Sequence, residues 1–145
     1  MTTTAVKFSG TDVPSFSETW DCQPESAAKA RWLITAALSK WGIEGLTEIG
    51  ALVTSELVSN AITHSGCRRF RLRVSRIDAR TVLILVSDTN RLLPRLREVG
   101  RDSESGRGLL LVAEMSKDWG YNRKVWGKAV WALLELPEQP AHPAT

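Results

Sequence analysis

The sequence predicts an α/β (α+β) two-layer sandwich, a mixed and mostly antiparallel sheet with about three helices on one face. Three observations predict it. Apolar residues recur at helical spacing in three stretches, and strand-length apolar or alternating runs lie between and after them. The resulting order is strand–helix–helix–strand–strand–helix–strand–strand. Helices gathered on one side of a sheet bury such a set of apolar faces best.

Each element has a local cause. Thr19–Cys22 reads as a short strand leading to Pro24. Pro24 and Glu25 open the first helix, because proline suits a first turn and an acid favours the positive helix end. Ala27, Ala30, Ile34, Ala37, Leu38 and Trp41 then form its apolar stripe, and Gly42 is its stop. The second helix runs from about Leu46 to His64, with Leu46, Ile49, Leu52, Val53 and Leu57 inward and Ser65-Gly66 ending it. Arg69–Ser75 alternates, with Phe70, Leu72 and Val74 on one face and Arg69, Arg71 and Arg73 on the solvated other. After a turn at Asp78-Ala79-Arg80, Thr81–Ser87 is a continuous apolar run, which predicts a central strand buried on both faces. Thr89–Ser105 has no period and is a long irregular segment. Gly106–Gly108 opens a third helix over Leu109–Ser116. Asp118–Arg123 and Lys128–Leu136, joined through Lys124–Gly127, close the sheet.

A chain of 145 residues predicts one domain, spanning 15–136 between loose tails at 1–14 and 137–145. The net charge of +3 suits a solvated surface. The basic residues lie on no groove-reading helix, so direct nucleic-acid binding is not expected. No apolar run is long enough to span a bilayer, and a cytoplasmic location is expected. The two cysteines, Cys22 and Cys67, form neither a disulfide framework nor a zinc pattern and are expected to be inert thiols. Trp32, Trp41, Trp119, Trp126 and Trp131 are expected in the core or against the sheet, with Trp20 a candidate interface anchor. His64 is expected only to end its helix.

Four features carry chemistry: Glu56-Leu-Val-Ser-Asn60-Ala61 on a helix, Asp88 at the end of a buried strand, Ser105-Gly-Arg-Gly-Leu109 at a helix start, and Gly127-Lys-Ala-Val-Trp131 opening the last strand. In this order they resemble the GHKL, or Bergerat-fold, ATPases. The closer likeness is to the anti-sigma-factor serine kinases and the short ATP-binding regulatory proteins of actinobacteria. The likeness runs from about Thr19 to Leu136. It implies that Glu56 and Asn60 are the N-box pair and Asp88 the adenine-binding acid. Gly106 and Gly108 correspond to the second glycine box, with Arg107 and Leu109 beside them, and Gly127-Lys-Ala129 to the G-T-x start of the final strand.

Physical chemistry agrees with those roles. The Asn60 carbonyl is a hard oxygen suited to Mg²⁺ on triphosphate oxygens. Glu56, one turn earlier on the same face, can serve as general base. The Asp88 carboxylate, an acceptor only, can take the exocyclic amine of adenine. Gly106 and Gly108 allow close backbone approach to phosphate at a helix start. Arg107, with Arg97 or Arg101, can hold a γ-phosphate bidentately.

Two departures stand out. The usual D-x-G-x-G box is here Asp88-Thr-Asn-Arg-Leu-Leu-Pro94, with Asn90 standing where the first glycine would be. Ala129 stands where many relatives carry a threonine that supports the acid, a loss of about 1 kcal/mol. The resemblance implies an ATP- and Mg²⁺-binding anti-sigma factor that phosphorylates a serine on an anti-anti-sigma factor, with a sigma factor as partner and a homodimer possible. The missing glycines keep a second reading open, a non-catalytic switch module in which Thr89–Ser105 changes order.

Overall fold

In the computed structural model the described residues are 13–64, 68–88, 104–123 and 127–137, with the backbone alone for His64 and residues 104–107. The expected tails other than residues 13, 14 and 137, the segment after Asp88, and Cys67 and Trp126 lie outside them. The elements in chain order are β1 (Ser15–Asp21), α1 (Glu25–Lys40), a 3₁₀ turn (Glu44–Leu46), α2 (Thr47–His64), β2 (Arg69–Asp78), β3 (Thr81–Asp88), α3 (Glu104–Met115), β4 (Asp118–Arg123) and β5 (Lys128–Glu135).

The strands form one sheet in the order β1-β2-β3-β5-β4. All four pairings among the described strands are antiparallel. The three helices cover one face. Phe70, Leu72 and Val74 of β2, Val82, Ile84 and Val86 of β3, and Val130, Ala132 and Leu134 of β5 join one core with Ala30, Ile34, Leu38, Val53, Leu57, Val58 and Val112 of the helices. The opposite face of the central strands is apolar too. There Leu83 and Trp131 are buried, with Ile77, Leu85 and Leu133 packed on them. Burial on both sides is why β3 reads as an unbroken apolar run.

Local chemistry sets the element ends. Gly42 adopts φ 72°, a left-handed conformation that glycine reaches without steric cost. It lets the Ile43 amide bond the Leu38 carbonyl at 2.9 Å and the Gly42 amide bond that of Ser39 at 3.1 Å, a paired closure of α1. The Asp78 carboxylate accepts the Arg80 amide at 2.8 Å and fixes the β2–β3 turn.

Several expectations need correction. Helix α3 begins at Glu104, before the two glycines rather than after them. Trp32 is 71% exposed rather than in the core, and Leu52 is exposed at 37% on the stripe expected to face inward. Both fall just off the buried rows of their helices, Ala30–Ile34–Ala37 and Val53–Leu57. Trp20 packs on Phe70 with ring centroids 5.7 Å apart. Cys22 is disulfide-bonded rather than a free thiol. The Cys22 amide also donates to the Arg68 carbonyl at 2.8 Å, tying the end of β1 to the start of β2.

Candidate functional site

Glu56 and Asn60 sit one turn apart in the second half of α2, which packs against both other helices. Asn60 is buried and Glu56 half-buried. A side-chain carbon added at Gly108 would collide with Glu56 Oε1 and lie 3.2 Å from its Cδ. The Glu56 carboxylate therefore lies directly against the backbone of α3, and the absence of a side chain at Gly108 makes room for it. Two of the sequence-predicted features thus meet.

The third feature lies at the end of the sheet. Asp88 closes β3 opposite Phe70 on one side and Lys128 on the other. Residues paired across antiparallel strands project to the same face. Phe70 belongs to the helix-covered core, so Asp88 and Lys128 rise toward the helices. Lys128 Nζ lies 3.8 Å from Asp88 Oδ2, with the two side chains 4% and 2% exposed. Burial pulls the Lys128 pKa below the usual lysine value, and the Asp88 charge opposes that pull. At 3.8 Å the two charges attract without a direct hydrogen bond. Such a pair is costly to desolvate and costly to break from one side.

The other expected residues fall as follows. Leu109 is buried in α3. Gly106 and Arg107 lie in the first turn of that helix. Gly106 is within the first four residues, whose N–H groups have no partner inside the helix, whereas the Gly108 N–H falls within the i→i−4 ladder. Ala129 pairs with Ser87, one step along the strand from Asp88 and Lys128. Alternation turns it to the face away from the helices, so the structure does not bring it to Asp88. Asn90, Arg97 and Arg101 lie outside the described residues.

Lys128 is the residue that sequence reasoning passed over. A signal for it exists, since a lysine heads the otherwise apolar strand Lys128-Ala-Val-Trp-Ala-Leu-Leu, where a charge requires a partner. Chemically, the described residues supply two arrangements: on the helices a buried amide and a carboxylate against a glycine backbone, and at the end of the sheet a buried acceptor–donor pair. Among the described residues no helix is long and apolar enough to cross a membrane.

Comparison with known proteins gives the class. The family described as the histidine kinase-like ATPase domain matches residues 21–134, and the chain belongs to that family. Among solved structures, the RsbU and RsbW domains of Rv1364c from Mycobacterium tuberculosis align with a TM-score of 0.62 at 16% identity. That alignment covers 91% of this chain and 35% of the other, so the chain spans about a third of that neighbour. The histidine kinase domain of the Erythrobacter litoralis EL346 blue-light activated histidine kinase aligns with a TM-score of 0.49 at 19% identity, over 76% of this chain and 60% of that one. No curated protein matches the chain significantly. The likeness at a TM-score of 0.62 agrees with the five-stranded antiparallel sheet and its one-sided layer of three helices.

Proposed function

We propose that this chain is an ATP- and Mg²⁺-binding regulatory kinase, an anti-sigma factor that phosphorylates a serine of an anti-anti-sigma factor. The observation that carries the proposal is the Glu56 carboxylate lodged against α3 at Gly108. Gly108 directly follows the first turn of α3, so a candidate base lies next to the turn whose free backbone N–H groups favour phosphate. The donor set suits a magnesium nucleotide. Asn60 offers a hard oxygen for the metal, and Asp88 an acceptor for the base. In the transfer step Glu56 takes the proton of the serine hydroxyl. The serine oxygen bonds the γ-phosphorus as the bond to the β–γ bridging oxygen breaks, and ADP leaves.

The sigma factor and its antagonist are the partners this reading requires, and the cytoplasm is its compartment. Two measurements test it. ATP affinity with and without Mg²⁺ should show a metal-dependent gain that Asn60→Ala abolishes. Incubation with labelled ATP and an anti-anti-sigma protein should yield phosphoserine, lost in Glu56→Ala. Absence of any nucleotide binding refutes the proposal.

A second reading is a switch that binds nucleotide without transferring phosphate. The buried Asp88–Lys128 pair favours it, because the base-binding acid already has a counter-charge. Nucleotide binding without phosphoserine would select it.

A further inference from the structure

We propose that Lys128 makes the base end of the nucleotide site general for purines, so that GTP is accepted alongside ATP. The inference rests on the nucleotide-binding reading above and concerns specificity within it. Asp88 and Lys128 present an acceptor and a donor side by side, 3.8 Å apart, on the helix-covered face of the sheet. The pair is held by charge at a separation beyond hydrogen-bond length. The ammonium carries three rotatable donors on a flexible stem, so it can serve a third group while staying near the carboxylate.

Purine edges supply complementary pairs. Adenine carries the N6 amine, a donor, next to the N1 acceptor. Asp88 takes the amine and Lys128 donates to N1. Guanine carries the O6 acceptor next to the N1–H donor. Lys128 then donates to O6 and Asp88 takes N1–H. The same two functions occur in reversed order, and the lysine stem accommodates the shift.

A carboxylate alone would meet guanine O6 lone pair against lone pair. Pockets built on such polar contacts reject the wrong analogue by large factors, because a buried polar group is left unpaired. With Lys128 present, the position-6 group and N1 of either purine are paired. The register is what makes this possible. Ala129 faces the other way, so the residue beside the acid is a cation rather than a small neutral group.

Calorimetric titration of the full chain with MgATP and MgGTP tests the proposal. The wild type should bind GTP within about tenfold of ATP. Lys128→Met should weaken GTP relative to ATP by a further tenfold or more, the loss of one charge-assisted hydrogen bond. Firm ATP binding with GTP more than about a hundredfold weaker in the wild type overturns the proposal and leaves the ATP reading intact. Failure of both nucleotides to bind overturns the ATP reading and this inference with it. If Lys128→Met does not fold, the wild type is titrated with 1-deaza-ATP, which lacks the N1 acceptor. A loss of tenfold or more supports donation by Lys128, and affinity equal to that for ATP overturns it.

Discussion

Gly108→Ala separates what helix chemistry wants from what the site requires. Gly108 lies inside α3, where alanine is favoured over glycine by about 1 kcal/mol. For a domain of this size that gain raises Tm by about 3–4 °C when nothing opposes it. The added carbon, however, meets the Glu56 carboxylate, at 3.2 Å from Cδ and 3.7 Å from Cβ with Oε1 closer still. Glu56 must rotate away. An off-rotamer side chain costs about 0.5–1.5 kcal/mol. Moving this half-buried carboxylate off its seat against α3 also costs about 1 kcal/mol or more in incomplete solvation. The substitution alone is therefore expected to be neutral or destabilising by about 1 kcal/mol.

In a Glu56→Ala background the obstruction is gone, and the same substitution should deliver the full gain of about 1 kcal/mol. The coupling between the two positions is then about 1–2 kcal/mol by double-mutant cycle. Urea unfolding of the wild type, both single variants and the double variant measures it. Equal effects of Gly108→Ala in the two backgrounds, to within about 0.3 kcal/mol, would refute the contact between Glu56 and α3. With it would go the main support for Glu56 as a base. The test involves no ligand, so it stands apart from any assay of nucleotide binding.

Other outcomes follow from the same physics. The depressed Lys128 pKa means that the unfolded chain binds more protons than the folded one, from that depressed value up to about 10.4. Stability should thus rise with pH across that window, and urea midpoints of Lys128→Met should lack this increment. At the β2–β3 turn, hydrogen bonds from Arg80 and Thr81 lower the Asp78 pKa. Their stabilisation is present above the ordinary Asp pKa and lost as pH falls through the lowered one, so Asp78→Ala should lower Tm at neutral pH and do nothing in strong acid. Reductant should lower wild-type stability by about 2–4 kcal/mol and leave Cys22→Ser unchanged, and a Tm indifferent to reductant would exclude the disulfide. Trp32→Ala should shift stability by no more than about 0.5 kcal/mol, whereas Trp131→Ala should cost about 3–5 kcal/mol. Comparable losses at the two positions would contradict their burial.

What was legible in the sequence is what neighbours along the chain decide. The stop at Gly42 needs only a residue that tolerates positive φ after an apolar stripe, and it appears where the pattern puts it. The turn at Asp78 needs only an acceptor two residues before an amide. The Thr81–Ser87 run announces a strand with little solvent on either face: helices cover one, and on the other Leu83 is buried by neighbouring side chains while Leu85 and Ser87 are half-buried. Trp32 was misread for a related reason. Aromatic character argues for burial on average, but position on the helix decides it, and Ala30 and Ile34 mark the inward row.

The site was legible only in part because it depends on register between strands far apart in sequence. A slip of one residue between β3 and β5 would exchange the faces of Lys128 and Ala129. The motif alone gives Gly127-Lys-Ala and does not say which of the two accompanies Asp88. The apolar faces settle the choice. Val130, Ala132 and Leu134 must point toward the helices, and alternation then carries Lys128 to that same face and Ala129 to the other. The lysine is thus driven into burial by the core residues that follow it, and Asp88 is the carboxylate that makes this position tolerable. The buried positive charge beside Asp88 is a consequence of how the sheet packs, and it persists in any variant that keeps both that packing and the lysine.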